Sequence, residues 1–365
     1  MEEYEFKAKV VDKLEKNGKN YVILDKTHFY PDGKGGQLGD RGKIGSANVI
    51  NVIEENGIIL HEVDQFPAEE ILLCTIDKER RLDISREHTA QHILSGALVK
   101  LFNIETVSFH MGEYYSTIDL ESSNFTNEKL NEAENLANTI VLEDREVLKY
   151  TITKDKIKDL NLRKISDVEE PIRIVEVENF DISMCGGTHV DKTGEIGIIK
   201  WLKYEKTKRE LSRVYFASGL RALKAFQNKN DIILNISNML TTGEDELIVR
   251  INKLVNENKE LSNKIKALDE QLTDALIEKL MKEDTIVETL QNISRKSFER
   301  VSITLKNAQK KGILLLKQDD SYLVSLLSDI QFTEFLKTYN IQGVKFGIIK
   351  EEAKPNLVNA YKKEV

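Results

Sequence analysis

The sequence predicts an α+β protein in four parts: an N-terminal small β-barrel, an α+β domain, a long helical segment and a small C-terminal α/β domain. Three observations predict it. Apolar and polar residues alternate along residues 1–82 between glycine turns. From Asp83 the apolar spacing becomes helical and is then interleaved with strand-like runs. Residues 245–280 step by four and three, with no Gly or Pro between Asp245 and Leu280. At 365 residues the chain is too long for one compact core, and we divide it at 1–82, 83–236, 237–282 and 283–365.

In the first part, YEFKAKVVDKLEKNGKNYVILD alternates around Asn17-Gly18, a dipeptide suited to the left-handed positions of a tight hairpin turn. Asn56-Gly57 marks a second such turn, and a glycine-dense segment, FYPDGKGGQLGDRGKIG, lies between. Short strands joined by glycine turns suggest a small barrel or sandwich. In the second part, Leu94, Leu98 and Leu101 define a helix for which Asp83 or Ser85 is the expected cap. A second helix is expected over Asn127–Glu143, among strands at YYSTIDL, REVLKYTIT, PIRIVEV, GEIGIIKWL and RVYF. In the third, Leu247, Ile251, Leu254, Asn258, Leu261, Ile265, Leu268, Leu272 and Ala275 form a coiled-coil seam or a long antiparallel helical hairpin. The mixed pattern then returns, and the tail after Lys350 is expected to be loose.

Composition is that of a soluble protein, with 40% hydrophobic and 31% charged residues and a mean hydropathy of -0.38. MEEYEFKAKV lacks the profile of a secretory signal, and no apolar run is long enough to span a membrane, so a cytoplasmic location without membrane contact is expected. Cys74 and Cys185 therefore read as reduced thiols. The net charge of -8 argues weakly against a nucleic-acid partner, although binding depends on local patches. Two segments are basic, Lys200–Arg213 and Gln291–Lys317, and the plain reading of both is a solvated face.

The residues that carry chemistry lie in two windows, His88-Thr-Ala-Gln-His92 and Cys185-Gly-Gly-Thr-His189, which hold three of the six histidines and one of the two cysteines. Imidazole and thiolate together select zinc over harder ions. A spacing of four on a helix puts His88 and His92 on one face, and Gly186-Gly187 suits a tight loop wrapping a metal. If the fold joins the windows, they make one site for one Zn2+ ion.

Four segments, FYPDGKGGQLGDRG, SREHTAQHILSGAL, MCGGTHVDKTGEIGIIK and RVYFASGLRALKAF, occur in an order that resembles the editing half of alanyl-tRNA synthetases. The nearest resemblance is to the free-standing alanyl-tRNA editing proteins of the long form, over residues 1 to 226 and, less closely, through the helical region. The resemblance makes residues 83–236 a zinc-containing editing domain. It implies a hydrolase that deacylates tRNA(Ala) mischarged with serine or glycine, acting in trans without an aminoacylation domain. It makes His88, His92, Cys185 and His189 metal ligands at the catalytic centre. It places the glycine-rich motif over Phe29–Asp40, one residue longer than in many members, with Gly35, Gly36 and Gln37 toward the substrate.

The physics of discrimination supports a separate site, because an apolar pocket sized for alanine rejects serine poorly, whereas a site that hydrogen-bonds the hydroxyl prefers serine. Thr27 is the candidate for that contact; a strand-end threonine is the equal alternative. Backbone N–H groups of Gly186 and Gly187 are candidates for oxyanion stabilisation. Four protein ligands make a closed type of zinc site. Either one ligand yields, or the metal anchors the substrate amine while an adjacent water attacks. Long-form members typically carry a C-terminal glycine cluster, but here Tyr339–Gly347 has two separated glycines, which puts tRNA binding by that domain in question. The heptads would pair two chains into a homodimer or act as a spacer. Two other readings stand beside this one: a tRNA- or partner-binding module with structural zinc, and a zinc hydrolase of small amino-acid esters.

Overall fold

The computed structural model describes residues 4–122, 126–165, 169–207, 211–319 and 321–328, and beyond these residues 334, 337, 344–345, 348–350 and 354–364. Gly343 and Gly347, with Lys208 and Arg209 of the first basic segment, lie outside the described residues. The chain forms two compact units, residues 1–234 and 235–365.

The first unit begins with six strands: β1 (Glu5–Lys16), β2 (Lys19–Leu24), β3 (Gly42–Ile44), β4 (Ala47–Glu55), β5 (Ile58–Val63) and β6 (Ile71–Ile76). They close into a barrel in the order β1-β2-β5-β4-β3-β6. Closure leaves no sheet edge, and inward residues such as Phe6, Val22, Ile44, Val52 and Cys74 fill the interior. Both asparagine–glycine turns form as expected. Asn17 and Gly18 sit at φ 54 and 72, Asn56 and Gly57 at 52 and 79, the left-handed pairs that a two-residue hairpin requires. Cys74 in the barrel and Cys185 are both free thiols.

Next comes α1 (Lys78–Phe102), buried over its central turns. It starts earlier than expected. Asp77 is the cap, accepting from the Arg80 N–H, so Asp83 and Ser85 are interior helix residues. Four charged residues, Lys78 to Arg81, hid this first turn from the apolar periodicity. Leu94 and Leu98 are fully buried, but Leu101 is 42% exposed at the fraying end of the helix. Two sheets pack around α1 and α2 (Asn127–Leu142). One has four strands in the order β12-β13-β8-β7: β7 is Thr106–Met111, β8 Ser116–Leu120, β12 Ile199–Lys206 and β13 Ser212–Ser218. The other has three in the order β11-β10-β9, from β9 (Val147–Ile152), β10 (Ile172–Val177) and β11 (Asp181–Met184). Gly96, one turn beyond His92, lets β11 approach the helix: a Cβ there would stand 2.9 Å from the Phe180 ring. α3 (Gly219–Leu240) follows β13 and runs across the boundary between the units.

In the second unit, α4 (Leu247–Leu280) is followed by β14 (Thr285–Leu290), α5 (Arg295–Asn307), β15 (Lys311–Gln318) and β16 (Ser321–Leu327). β17 (Val344–Lys345), β18 (Ile348–Lys350) and α6 (Lys354–Glu364) complete it. Only the β14–β15 pair of this five-stranded sheet is parallel, the arrangement a helical crossover such as α5 makes. Over Lys354–Glu364 the tail is helical, not loose. Leu357, Ala360 and Tyr361, at helical spacing on α6, are buried against Ile313, Leu315 and Tyr322. Along α4 the heptad residues Leu261, Ile265, Leu268 and Leu272 are 40–66% exposed, while Leu280 is buried in the unit's core.

Candidate metal centre

His88 and His92 lie one turn apart on the buried face of α1, and the β10–β11 hairpin delivers Cys185 and His189 to the same place. The Cys185 amide donates to the Arg173 carbonyl across that hairpin, continuing the pairing one residue past β11. The ligand atoms of the four side chains lie within 4.8 Å of one another. Cys185 Sγ is 3.5 Å from His88 Nε2 and 3.3 Å from His189 Nε2. A tetrahedral zinc shell separates a sulfur and a nitrogen ligand by about 3.6 Å, so these residues fit a metal ion of that kind.

His88 and His189 turn Nε2 toward Cys185, and in each a hydrogen bond holds Nδ1. The His88 Nδ1–H donates to Gln37 Oε1 at 2.8 Å, and the same oxygen accepts from the Thr188 amide at 2.9 Å. Thr89 spends its own proton on the Ser85 carbonyl, so its oxygen accepts from His189 Nδ1 at 3.0 Å. His92 Nδ1 lies 3.4 Å from Asp181 Oδ2, and Asp181 is itself held by Arg163 and Ser183. Such outer partners set the tautomer that leaves Nε2 free to ligate.

The charge states of Cys185 and His189 suit a metal centre. Burial alone would raise the Cys185 thiol, but His88 and His189 draw it well below its ordinary value of 9.0, toward the thiolate. Burial lowers His189 to about 3, His88 and His92 adding to the effect against the pull of Cys185, which keeps the ring neutral. For His92 burial works downward, yet Asp181 and Cys185 outweigh it and the net shift is upward. Burial also opposes ionisation of Asp181, but His92 and Arg163 bring it down to about 2.

Sterics dictate one glycine of the loop. A Cβ on Gly187 would stand 2.2 Å from His88 Cε1 and 2.8 Å from Gln37 Oε1, whereas Gly186 faces open space. The Gly187 N–H donates to the Cys185 sulfur at 3.4 Å, so of the two candidate oxyanion donors only the Gly186 amide has no acceptor among the described residues. The glycine-rich segment reaches the centre through Gln37, and Gly36 (φ 75) packs its Cα face on Phe109, whose ring stacks on His88 at 5.3 Å. Gly35 instead lies against the Tyr30 hydroxyl. Thr27 makes its contacts within the barrel. His61, pushed down to about 4 by burial, is neutral and donates from Nδ1 to the Val22 carbonyl, so its Nε2 accepts the Thr27 proton at 2.8 Å. The Thr27 oxygen also accepts from the Phe29 amide.

Sequence reasoning passed over Thr89, Asp181 and Arg173. Thr89 sits inside the histidine window and Asp181 four residues before Cys185, but neither spacing says which ring it holds.

A family model described as the threonyl and alanyl tRNA synthetase second additional domain matches residues 172–215, the segment carrying Cys185 and His189. A model for class II (A) tRNA synthetases matches residues 3–80. The alanyl-tRNA editing protein AlaX-L of Pyrococcus horikoshii is 32% identical over 335 residues, covering 86% of this chain and 81% of that protein. The chain belongs to the alanyl-tRNA editing proteins. This family shares its sequence with longer relatives. The alanine–tRNA ligase of Methanobrevibacter smithii is 29% identical over 94% of the chain, and that of Methanopyrus kandleri 33% identical over 74%. The chain spans 41% and 31% of the length of those two ligases. Among the described residues, no helix is long and apolar enough to cross a membrane.

Proposed function

We propose that this chain hydrolyses the ester that joins serine or glycine to tRNA(Ala), at one zinc ion held by His88, His92, Cys185 and His189, in the cytoplasm. The observation that carries the reading is the convergence of these four ligands, with Nδ1 of His88 and of His189 hydrogen-bonded and His92 beside Asp181, in a member of the alanyl-tRNA editing proteins. The match over 81% of AlaX-L supports action in trans. When bound, zinc supplies a fixed positive charge that polarises an adjacent carbonyl or water.

The chain's own residues do the rest. Gln37, Thr89 and Asp181 hold the imidazoles. Of the four residues that would hold the ion, Cys185 alone is partly exposed, so substrate and water would reach the centre on its side. The Gly186 amide, free on the same side, donates to the oxyanion as the ester carbonyl is attacked. The ester is already activated, so positioning and this hydrogen bond carry much of the rate. Thr27 recognises the serine hydroxyl by accepting from it, since its own proton is committed to His61. Gly35 and Gly36 shape the wall beside it.

The exposed heptad face of α4 supports pairing of two chains. Arg295 and Arg300 in the second basic segment are already paired with Glu299 and Asp274, which supports the solvated-face reading there.

A four-ligand site also suits structural zinc in a tRNA-binding module. Incubation with seryl-, glycyl- and alanyl-tRNA(Ala), with and without chelator, separates the readings. Editing requires loss of the seryl or glycyl ester, sparing of the alanyl ester and inhibition by chelator. Binding without hydrolysis would leave the module.

A further inference from the structure

We infer that Arg173 is the anchor for a phosphate of the substrate's polynucleotide strand at the mouth of the metal centre; this deepens the reading above and rests on it. Arg173 lies on β10, half-buried, directly across the hairpin from Cys185. Its Nη1 donates to the Cys185 carbonyl at 3.0 Å and to the Gly187 carbonyl at 2.5 Å. These carbonyls flank Gly186, so the guanidinium stands beside the one residue of the loop that faces open space and next to the one partly exposed ligand.

Among the described residues its charge has no carboxylate counterpart. Several other buried or half-buried arginines of this unit meet carboxylates, Arg81 with Asp40, Arg163 with Asp181 and Arg221 with Asp83, while Arg86 spends its Nε on the Glu195 carbonyl. Among the described residues no Asp or Glu pairs with Arg173, and no acceptor lies on its Nε or Nη2. A half-buried guanidinium held in place by two carbonyls, with a planar pair of donors left over, is built to receive a bidentate anion.

The chemistry of the substrate says which anion. An amino acid in ester linkage has no free carboxylate, and its ammonium group would be repelled by arginine. The charge that comes within reach when the ester enters is the phosphodiester on the other side of the same terminal sugar. Arg173 therefore reads the presence of a polynucleotide, and a phosphate-free aminoacyl nucleoside offers it no anion.

The test compares two substrates, seryl-tRNA(Ala) and seryl-adenosine, in the full zinc-loaded protein carrying R173Q or R173K. Because Nη1 also braces the loop, R173Q lowers activity on both substrates. The expected result is that the loss on seryl-tRNA exceeds the loss on seryl-adenosine by about 10- to 100-fold, the range of one charge-assisted hydrogen bond, and falls mainly on KM. The salt dependence of KM for seryl-tRNA should flatten, its log–log slope falling by about 0.7 when one phosphate is no longer neutralised. R173K, which keeps the charge, should recover part of both effects. Equal losses on the two substrates, an unchanged salt slope, or no recovery in R173K would overturn the assignment and leave Arg173 a brace for the loop. Wild-type protein that cleaves neither substrate would instead remove the deacylase reading itself.

Discussion

Replacing Gly187 by alanine should disable the metal centre, and replacing Gly186 should not. The added methyl at 187 would stand 2.2 Å from His88 Cε1 and 2.4 Å from Nδ1, where carbon atoms normally approach to about 3.5–4.0 Å. The ring cannot step aside freely. Phe109 stacks on it, and Gln37, 1% exposed and tied to the Thr188 amide, grips its Nδ1. Relief thus requires a shift of more than about 1 Å, either of the ring, breaking the Gln37 hydrogen bond, or of the loop carrying Cys185 and His189. Overpacking of about 1–3 kcal/mol and the broken hydrogen bond, about 1 kcal/mol, sum to about 2–4 kcal/mol. Displacing a ligand and its outer partner should cost at least about 10- to 100-fold in metal affinity. At Gly186 an alanine Cβ meets no atom within 4 Å and the backbone is not left-handed. Zinc affinity by competition with a chromogenic chelator, with thermal melts in zinc and in EDTA, would measure both variants. Wild-type affinity in G187A, or an equal fall in G186A, would refute the steric argument.

Gln37→Leu removes the acceptor of both His88 Nδ1 and the Thr188 amide, so zinc affinity should fall by about 10- to 100-fold in the same competition assay. Asp40→Ala strands the buried Arg81 guanidinium and the Tyr30 amide, and urea denaturation should show a loss of about 3–5 kcal/mol. His61 is held neutral by burial, at about 4 against 6.5 ordinarily. Its contribution is therefore complete above pH 6.5 and drains as pH falls toward 4, by about 3 kcal/mol. The stability gap between wild type and His61→Gln should narrow over that window; a gap independent of pH would contradict the shift. On α4, the double variant Leu261→Glu, Leu268→Glu should convert a dimer to a monomer in sedimentation, and a monomeric wild type would leave the spacer reading.

Local chemistry was legible in the sequence wherever one stretch of chain settles its own geometry. The asparagine–glycine turns were readable because left-handed backbone admits few residue types, and the paired histidines because helical spacing places them on one face. The chemistry of the donor set, three imidazoles and a thiolate, was readable for the same reason. The start of α1 was not, because Asp77 caps a charged first turn with no apolar period to mark it. Nor was the helix at the C-terminus, whose Leu357 and Tyr361 gain their value only against Ile313 and Tyr322 on a distant strand. Tertiary structure alone decided that the two windows meet, that Gln37 arrives from the glycine-rich segment to hold His88, and that Thr89 and Asp181 fix the other rings. The physical reason is that a hydrogen bond or an ion pair between residues far apart in the chain has no spacing. Its partner is chosen by packing, and packing also set Arg173 beside the open side of the centre with no carboxylate on it among the described residues.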